Sequence, residues 1–290
     1  MKFLVFFLVL RSCIAFDLPR CHPDLNIDKD QYTVSDTYHL GDALPTDAHY
    51  DVYGNLFYVK SGSNDDGYYY DIYVVKFKTT TAQKIKGLPE GLSYSVAVDK
   101  KDAKVYFGTE KGMFRYDYAT HNATQVSDSL LKINMIFVDK NGNKYITNSN
   151  NGIEELYLLD GEKKIRFNTL EALNELAIDD NNNFYFIKHE QLFVLKPTQS
   201  MPLHIGNVTY TGAGQISFHK DNVFVASDHL VYFHENETGK MKLISNVPDQ
   251  VTSIAFDRTG DFVLGTRGKL LKYKKNECYI RKTNDSSVYN

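Results

Sequence analysis

The chain has 290 residues, with 33 Lys and Arg against 36 Asp and Glu and a formal net charge of −3. That length suits one domain only if the architecture is a repeat or a barrel. Mild acidity argues against a nucleic-acid partner, whose backbone demands a basic surface.

From the N-terminus, Lys2 precedes a continuous apolar run, Phe3 to Leu10, and small residues end in Cys13-Ile14-Ala15. This is the pattern of a secretory signal peptide over residues 1–15, cleaved after Ala15, so the protein is expected to be secreted and extracellular. The apolar run is about half the length needed to span a bilayer. No later segment is apolar enough, so no membrane partner is expected. Cleavage leaves residues 16–290 as one domain, with 31 basic against 36 acidic residues and a balance of −5. The basic stretch from Lys269 to Lys282 reads as a solvated outer strand.

Cys13 leaves with the signal, and Cys21 and Cys278 remain, one near each end. Two cysteines in a secreted chain most simply form one disulfide. Asn-x-Ser/Thr triplets at Asn122, Asn207, Asn236 and Asn284 are candidate glycan sites. Asn122 and Asn236 are expected to be occupied more often than Asn207, which leads toward the ligand face.

The internal repeat decides the fold. Apolar runs that end at an acid recur as Ser95-Val-Ala-Val-Asp99, Met135-Ile-Phe-Val-Asp139, Glu175-Leu-Ala-Ile-Asp179 and Ser253-Ile-Ala-Phe-Asp257. Gln215-Ile-Ser-Phe-His219 fits with His in the last place, and Asp47-Ala-His-Tyr-Asp51 fits loosely. The end points 51, 99, 139, 179, 219 and 257 are separated by 48, 40, 40, 40 and 38 residues. A period near 40 with several strands per unit predicts an all-β, six-bladed β-propeller. Turns such as Asn141-Gly142-Asn143 follow each first strand, and Val, Ile, Phe and Tyr dominate the strands. Open rings expose sheet edges. Residues 16–42 are therefore read as a closing segment, with Gln31 to Leu40 completing the last blade beside Leu270 to Tyr273. A Cys21–Cys278 bond would lock that closure, with about 5 kcal/mol as the ceiling of the chain-entropy model.

The lead-in positions of the six innermost strands line the funnel: Thr46/Asp47, Tyr94/Ser95, Asn134/Met135, Asn174/Glu175, Gly214/Gln215 and Thr252/Ser253. The loops between second and third strands open on the same face. The first is long, Ser61 to Tyr70, with Gly hinges and three consecutive tyrosines. Tyr68, Tyr69 and Tyr70 are either a lid over the funnel or the start of the third strand. With Tyr94 they would offer ring faces. Arg267 would pair with a ligand carboxylate or stack on a ring, unless it only bonds loop carbonyls. Asn134, Asn174 and Gln215 would read polar edges, with Asp47 and Glu175 beside them. No catalytic motif, metal-ligand spacing or cofactor fingerprint occurs. No metal or cofactor is expected. Nothing in the sequence speaks to oligomeric state.

The unit LSYSVAVDKKDAKVYFGTEKGMFRYDYATHNATQV, Leu92 to Val126, resembles the ommochrome-binding proteins of moth blood. So do Asn174 to Asp179 with Phe184-Tyr185-Phe186, and the closing unit Ser253 to Asp257. The resemblance implies a secreted carrier, not an enzyme, that takes a small aromatic pigment of the ommochrome type. The innermost strands also resemble the regucalcin and gluconolactonase propellers, which implies a divalent metal held by a carboxylate, an Asn and an Asp. Asp47 and Asn134 or Asn174 match, but the second acid is missing, so a metal-dependent lactonase is the alternative. A protein-interaction propeller is a third reading.

Overall fold

A computed structural model of the chain describes residues 23–127, 131–161, 163–234, 241–248 and 250–276. The expected signal peptide, Cys21, Cys278, Asn236 and Asn284 lie outside the described residues.

Every regular element among the described residues is a β-strand, and the strands form six antiparallel sheets in a ring. Blades 1 to 5 run outward in chain order, beginning at Leu44–Tyr50, Ser93–Asp99, Met135–Val138, Glu175–Ile178 and Gln215–His219. The sixth begins at Val251–Phe256 and continues through Phe262–Thr266 and Lys269–Lys275. Its fourth strand is Asp30–His39 from the other end of the chain, with Tyr32 opposite Lys275 and Tyr38 opposite Leu270. A fifth strand, Leu25–Ile27, folds back on it. That strand was not anticipated: three residues are too few to show a period.

The acid that ends each repeat unit has a structural reason. Asp139 Oδ1 accepts the backbone N–H groups of Asn141 and Asn143, both at 2.9 Å, and Oδ2 accepts Asn143 Nδ2 at 2.8 Å. Asp179 repeats this with Asn181 and Asn183, and Asp51 with Tyr53 and Asn55. Each such carboxylate is at least 95% buried and clamps the hairpin between first and second strands. Carboxylates satisfied by backbone donors are strong turn formers. In the fifth blade His219 replaces the acid and instead stacks on Phe256 at 4.5 Å.

The core lies between blades, not within them. Phe57 and Val59 of the first blade pack on Val96 and Phe107 of the second. Similar clusters fill the other seams. Leu25, Ile27 and Tyr32 join the seam between blades 5 and 6 with Phe224 and Tyr232. Tyr232 Oη donates to Asp28 at 2.5 Å, and Lys242 reaches the same carboxylate at 3.3 Å. The linker into the first blade is held by Leu40 N–H to Gly268 O and Gly268 N–H to Ala43 O, both 2.8 Å.

Asn122 opens the outermost strand of the second blade and is half-buried. Asn207 is exposed at the end of the outermost strand of the fourth, opposite Gln191.

Tyr32 is 2% exposed and meets Phe262 edge-on at 5.0 Å. Tyr32→Ala is expected to cost about 3–5 kcal/mol, the usual range for emptying a large aromatic site in a core. Urea unfolding measures it. A loss under about 1 kcal/mol would mean that the closing strand is not held by this seam.

Candidate functional site

The funnel is divided in two. A mouth of about 800 Å³ opens on the face with the lead-in residues, and a smaller cavity of about 230 Å³ opens on the face with the clamped hairpins. Asp47, Ile136, Phe137 and Glu175 line both, so they form the partition.

Asp47 sits at a bulge in the first innermost strand, between Thr46 and His49, with φ of 47°. A left-handed non-glycine residue in a bulge re-aims its side chain. Here the carboxylate points into the funnel, accepts Val96 N–H at 2.5 Å, and meets His49 Nε2 at 2.8 Å. Glu175 starts the innermost strand of the fourth blade. Burial first, and Asp47 second, push its pKa well above the usual carboxylate range.

Around the mouth, Tyr68, Tyr70, Tyr94 and Tyr210 contribute to the wall. The long segment of the first blade is a regular hairpin, not a loose loop: Asn64 pairs with Gly67, Ser63 with Tyr68, Gly62 with Tyr69 and Ser61 with Tyr70. The three tyrosines belong to the third strand, so they alternate in direction. Tyr68 and Tyr70 face the mouth. The Tyr69 ring covers Gly62, whose added Cβ would lie 2.6 Å from the hydroxyl. Tyr69 is thus outside the mouth, contrary to expectation, because strand period overrides proximity in sequence. Tyr70 and Tyr94 meet edge-to-face at 5.2 Å. Tyr94 donates to Glu110 Oε2 at 2.6 Å, and Lys132 pairs with Glu110 at 2.9 Å. The Tyr94 hydroxyl and Lys132 hold Glu110 below the usual carboxylate range.

Asn134, Asn174 and Arg267 line the mouth as well. Arg267 is exposed and makes no ion pair among the described residues. Gln215 does not reach the mouth. Its Oε1 accepts Ala48 N–H and Ile254 N–H, both at 3.1 Å, and its Nε2 donates to Ala48 O at 2.7 Å. It joins blades 5, 6 and 1, and it lines the smaller cavity instead of the mouth. Lys132, Glu154 and Tyr210 also line the mouth, and sequence reasoning missed them. Glu154 begins past the turn between second and third strands of blade 3, on the face that reasoning had identified. Tyr210 lies four residues ahead of the Gly214 lead-in.

Among the described residues no group of three His, Cys, Asp or Glu is placed to hold a metal ion. Asn134 Nδ2 donates to Glu154 Oε1 at 2.6 Å.

No family model matches the chain. The ommochrome-binding protein of Manduca sexta is 24% identical over 205 residues, covering 69% of this chain and 72% of that protein. A gluconolactonase of Xanthomonas campestris superposes with a TM-score of 0.67 at 13% identity, over 89% of this chain and 96% of that one. Virginiamycin B lyase of Staphylococcus aureus superposes with a TM-score of 0.52 at 9% identity, over 84% and 99%. At these identities the two structural likenesses bear on the fold. They correct one expectation. Proteins of this architecture include a lactonase and a lyase, so the reading of the chain as no enzyme is withdrawn. What stands is a six-bladed propeller with a central funnel able in principle to take a ligand. Among the described residues no helix is long and apolar enough to cross a membrane.

Because the folded pKa of Glu175 lies above the unfolded one, its contribution to stability is complete below the unfolded value. It is lost as pH rises through the folded value. Glu175→Gln keeps the shape without the charge. Relative to the parent, its stability is expected to rise between pH 5 and pH 8, as read by urea unfolding. An unchanged difference would show that Glu175 is not desolvated.

Proposed function

We propose that the funnel mouth binds a small, flat, aromatic molecule. The observation that carries this reading is the 800 Å³ opening bordered by Tyr68, Tyr70, Tyr94 and Tyr210. Aromatic rings stack on or edge against flat ligands, and phenol groups bond their polar rims. The Manduca sexta relative supports an ommochrome pigment as the first ligand to try. Asn134, Asn174 and Glu175 would meet polar edges, and Arg267 would stack on a ring or meet an anionic edge. The chain would act outside the cell after cleavage following Ala15, with candidate glycans at Asn122 and Asn207 and, beyond the described residues, at Asn236 and Asn284.

Titration with xanthommatin, followed by its visible absorption, tests the reading. Tyr70→Ala and Tyr94→Ala are each expected to weaken binding by about 0.5–1.5 kcal/mol, the worth of an aromatic pair beyond area burial. Arg267→Ala is expected to cost about 1–3 kcal/mol if it meets a carboxylate. Parent-like affinity in all three would place the ligand elsewhere.

One arrangement favours a second reading, hydrolysis of a lactone. Asp47 and Glu175 stand together at the partition, and burial and the Asp47 charge push the Glu175 pKa well above the usual carboxylate range, the direction a proton donor needs. Asp47 would take a proton from water as it adds to the carbonyl carbon. Glu175 would give its proton to the ring oxygen as the carbon–oxygen bond breaks. The structural likeness to a gluconolactonase is consistent with this. Proton release from D-glucono-δ-lactone, with and without added Ca²⁺ or Zn²⁺, is the assay. Turnover lost in Glu175→Gln supports the reading, and no turnover above the buffer rate under either condition ends it.

A further inference from the structure

Blade 5 departs from the clamped hairpins of its neighbours, and the departure lies in the seam that holds the closing strand. His219 ends its innermost strand and pairs with Asn222 across a two-residue turn, Lys220-Asp221. The carboxylate-clamped turns are one residue longer, as from Asp139 to Asn143. Lys220 takes φ of 54°, the left-handed backbone that a two-residue hairpin turn requires, so this turn closes without a carboxylate.

The imidazole is left to the next blade. Its ring lies flat on Phe256 of blade 6, with 4.5 Å between centroids and 10° between planes. Phe256 touches Phe262 at 5.2 Å, and Phe262 meets Tyr32 of the closing strand at 5.0 Å. A column of rings thus runs from blade 5 through blade 6 to the N-terminal strand.

Nε2 of His219 is buried and meets no hydrogen-bond partner among the described residues. The blade 6 hairpin closes over it: a Cβ added to Gly260 would lie 3.1 Å from Nε2. Four charged groups act on the ring. Lys220 is on its own turn, and Lys275 is on the third strand of blade 6. Asp257 follows that blade's innermost strand, and Asp30 is on the closing strand. Asp221, beside Lys220 in the turn, is exposed. Both facing acids are already engaged. Asp30 pairs with Lys275 at 2.8 Å and with Lys220 at 3.6 Å. Asp257 Oδ1 accepts Thr259 N–H at 2.8 Å and the Thr259 hydroxyl at 2.6 Å. An imidazolium here would be a third cation beside two lysines, with a buried N–H that finds no acceptor. Burial first, then Lys220 and Lys275, hold the His219 pKa below the ordinary histidine value.

We propose that His219 is an acid-sensitive latch on the seam between blades 5 and 6, holding blade 6 and its closing strand when neutral and loosening them when protonated. When the seam opens, the imidazole reaches water and takes its proton at the ordinary histidine value. Opening therefore becomes easier as pH falls through that value, and stops changing below the folded one.

Hydrogen exchange of the full-length chain, read by mass spectrometry at pH 7.5 and pH 5.5 and corrected for intrinsic rates, tests the latch. Protection of Asp30–His39 and Val251–Phe256 is expected to fall at the lower pH. The fall is expected to be at least about threefold larger than that of Ser93–Asp99 in blade 2. His219→Phe keeps a flat ring against Phe256 and takes no proton, so it is expected to abolish the extra fall. No fall, an equal fall in all three segments, or an extra fall that persists in a folded His219→Phe chain overturns the latch. If that variant does not fold, the His219 ring resonance of the parent decides by NMR titration. A midpoint below that of free histidine supports the latch, and one at or above it overturns it.

Discussion

The pairing of Asp30–His39 with Lys269–Lys275 is the constraint on which the rest depends. Six sheets meet only at their faces, and the apolar clusters lie in the seams. A seam between the last blade and the first exists only if the chain's two ends are joined. The closing strand joins them by backbone hydrogen bonds, and its linker is then pinned on Gly268. At Gly268 the backbone has φ of 79°, and an added Cβ would lie 2.6 Å from Gly41 O. Thr252 and Ser253 of the last blade then reach Pro45 O of the first, at 2.6 and 2.9 Å. Pro45 precedes Asp47 by two residues, so the closure also sets where the funnel's carboxylate stands.

From that ring the chemistry follows by position. Each innermost strand ends at a hairpin on one face, clamped by an acid in every blade but the fifth, which sends its lead-in residues to the other. The lead-ins of opposite blades then face each other across the funnel. Glu175 of blade 4 and Asp47 of blade 1 meet there, and burial together with the Asp47 charge pushes the Glu175 pKa well above the usual carboxylate range.

The departures from expectation have separate causes. Tyr69 follows Tyr68 and precedes Tyr70, yet turns away, because the segment is a paired hairpin and side chains alternate. Gln215 stands at a lead-in position like Asn134 and Asn174, yet its amide is consumed in joining three blades. The repeat assigns both positions equivalent places. Only the neighbours across the ring make one a wall residue and another a strut.

What the sequence determined by itself is what recurs: six units, their strand type, the buried acid that ends most of them, and the need for an N-terminal strand to close the ring. Recurrence is legible because each blade solves the same local problem, alternating strands joined by a hairpin that needs a carboxylate clamp. The lead-in set was legible for the same reason, so Asp47, Tyr94, Asn134, Asn174 and Glu175 could be assigned to the funnel before any coordinates. Contacts between blades belonged to the tertiary structure alone. The raised pKa of Glu175, the Tyr94–Glu110–Lys132 cluster and the partition of the funnel all depend on residues brought together around the ring. Sequence distance carries no record of those meetings, since the ring geometry, not the local pattern, sets which side chains converge.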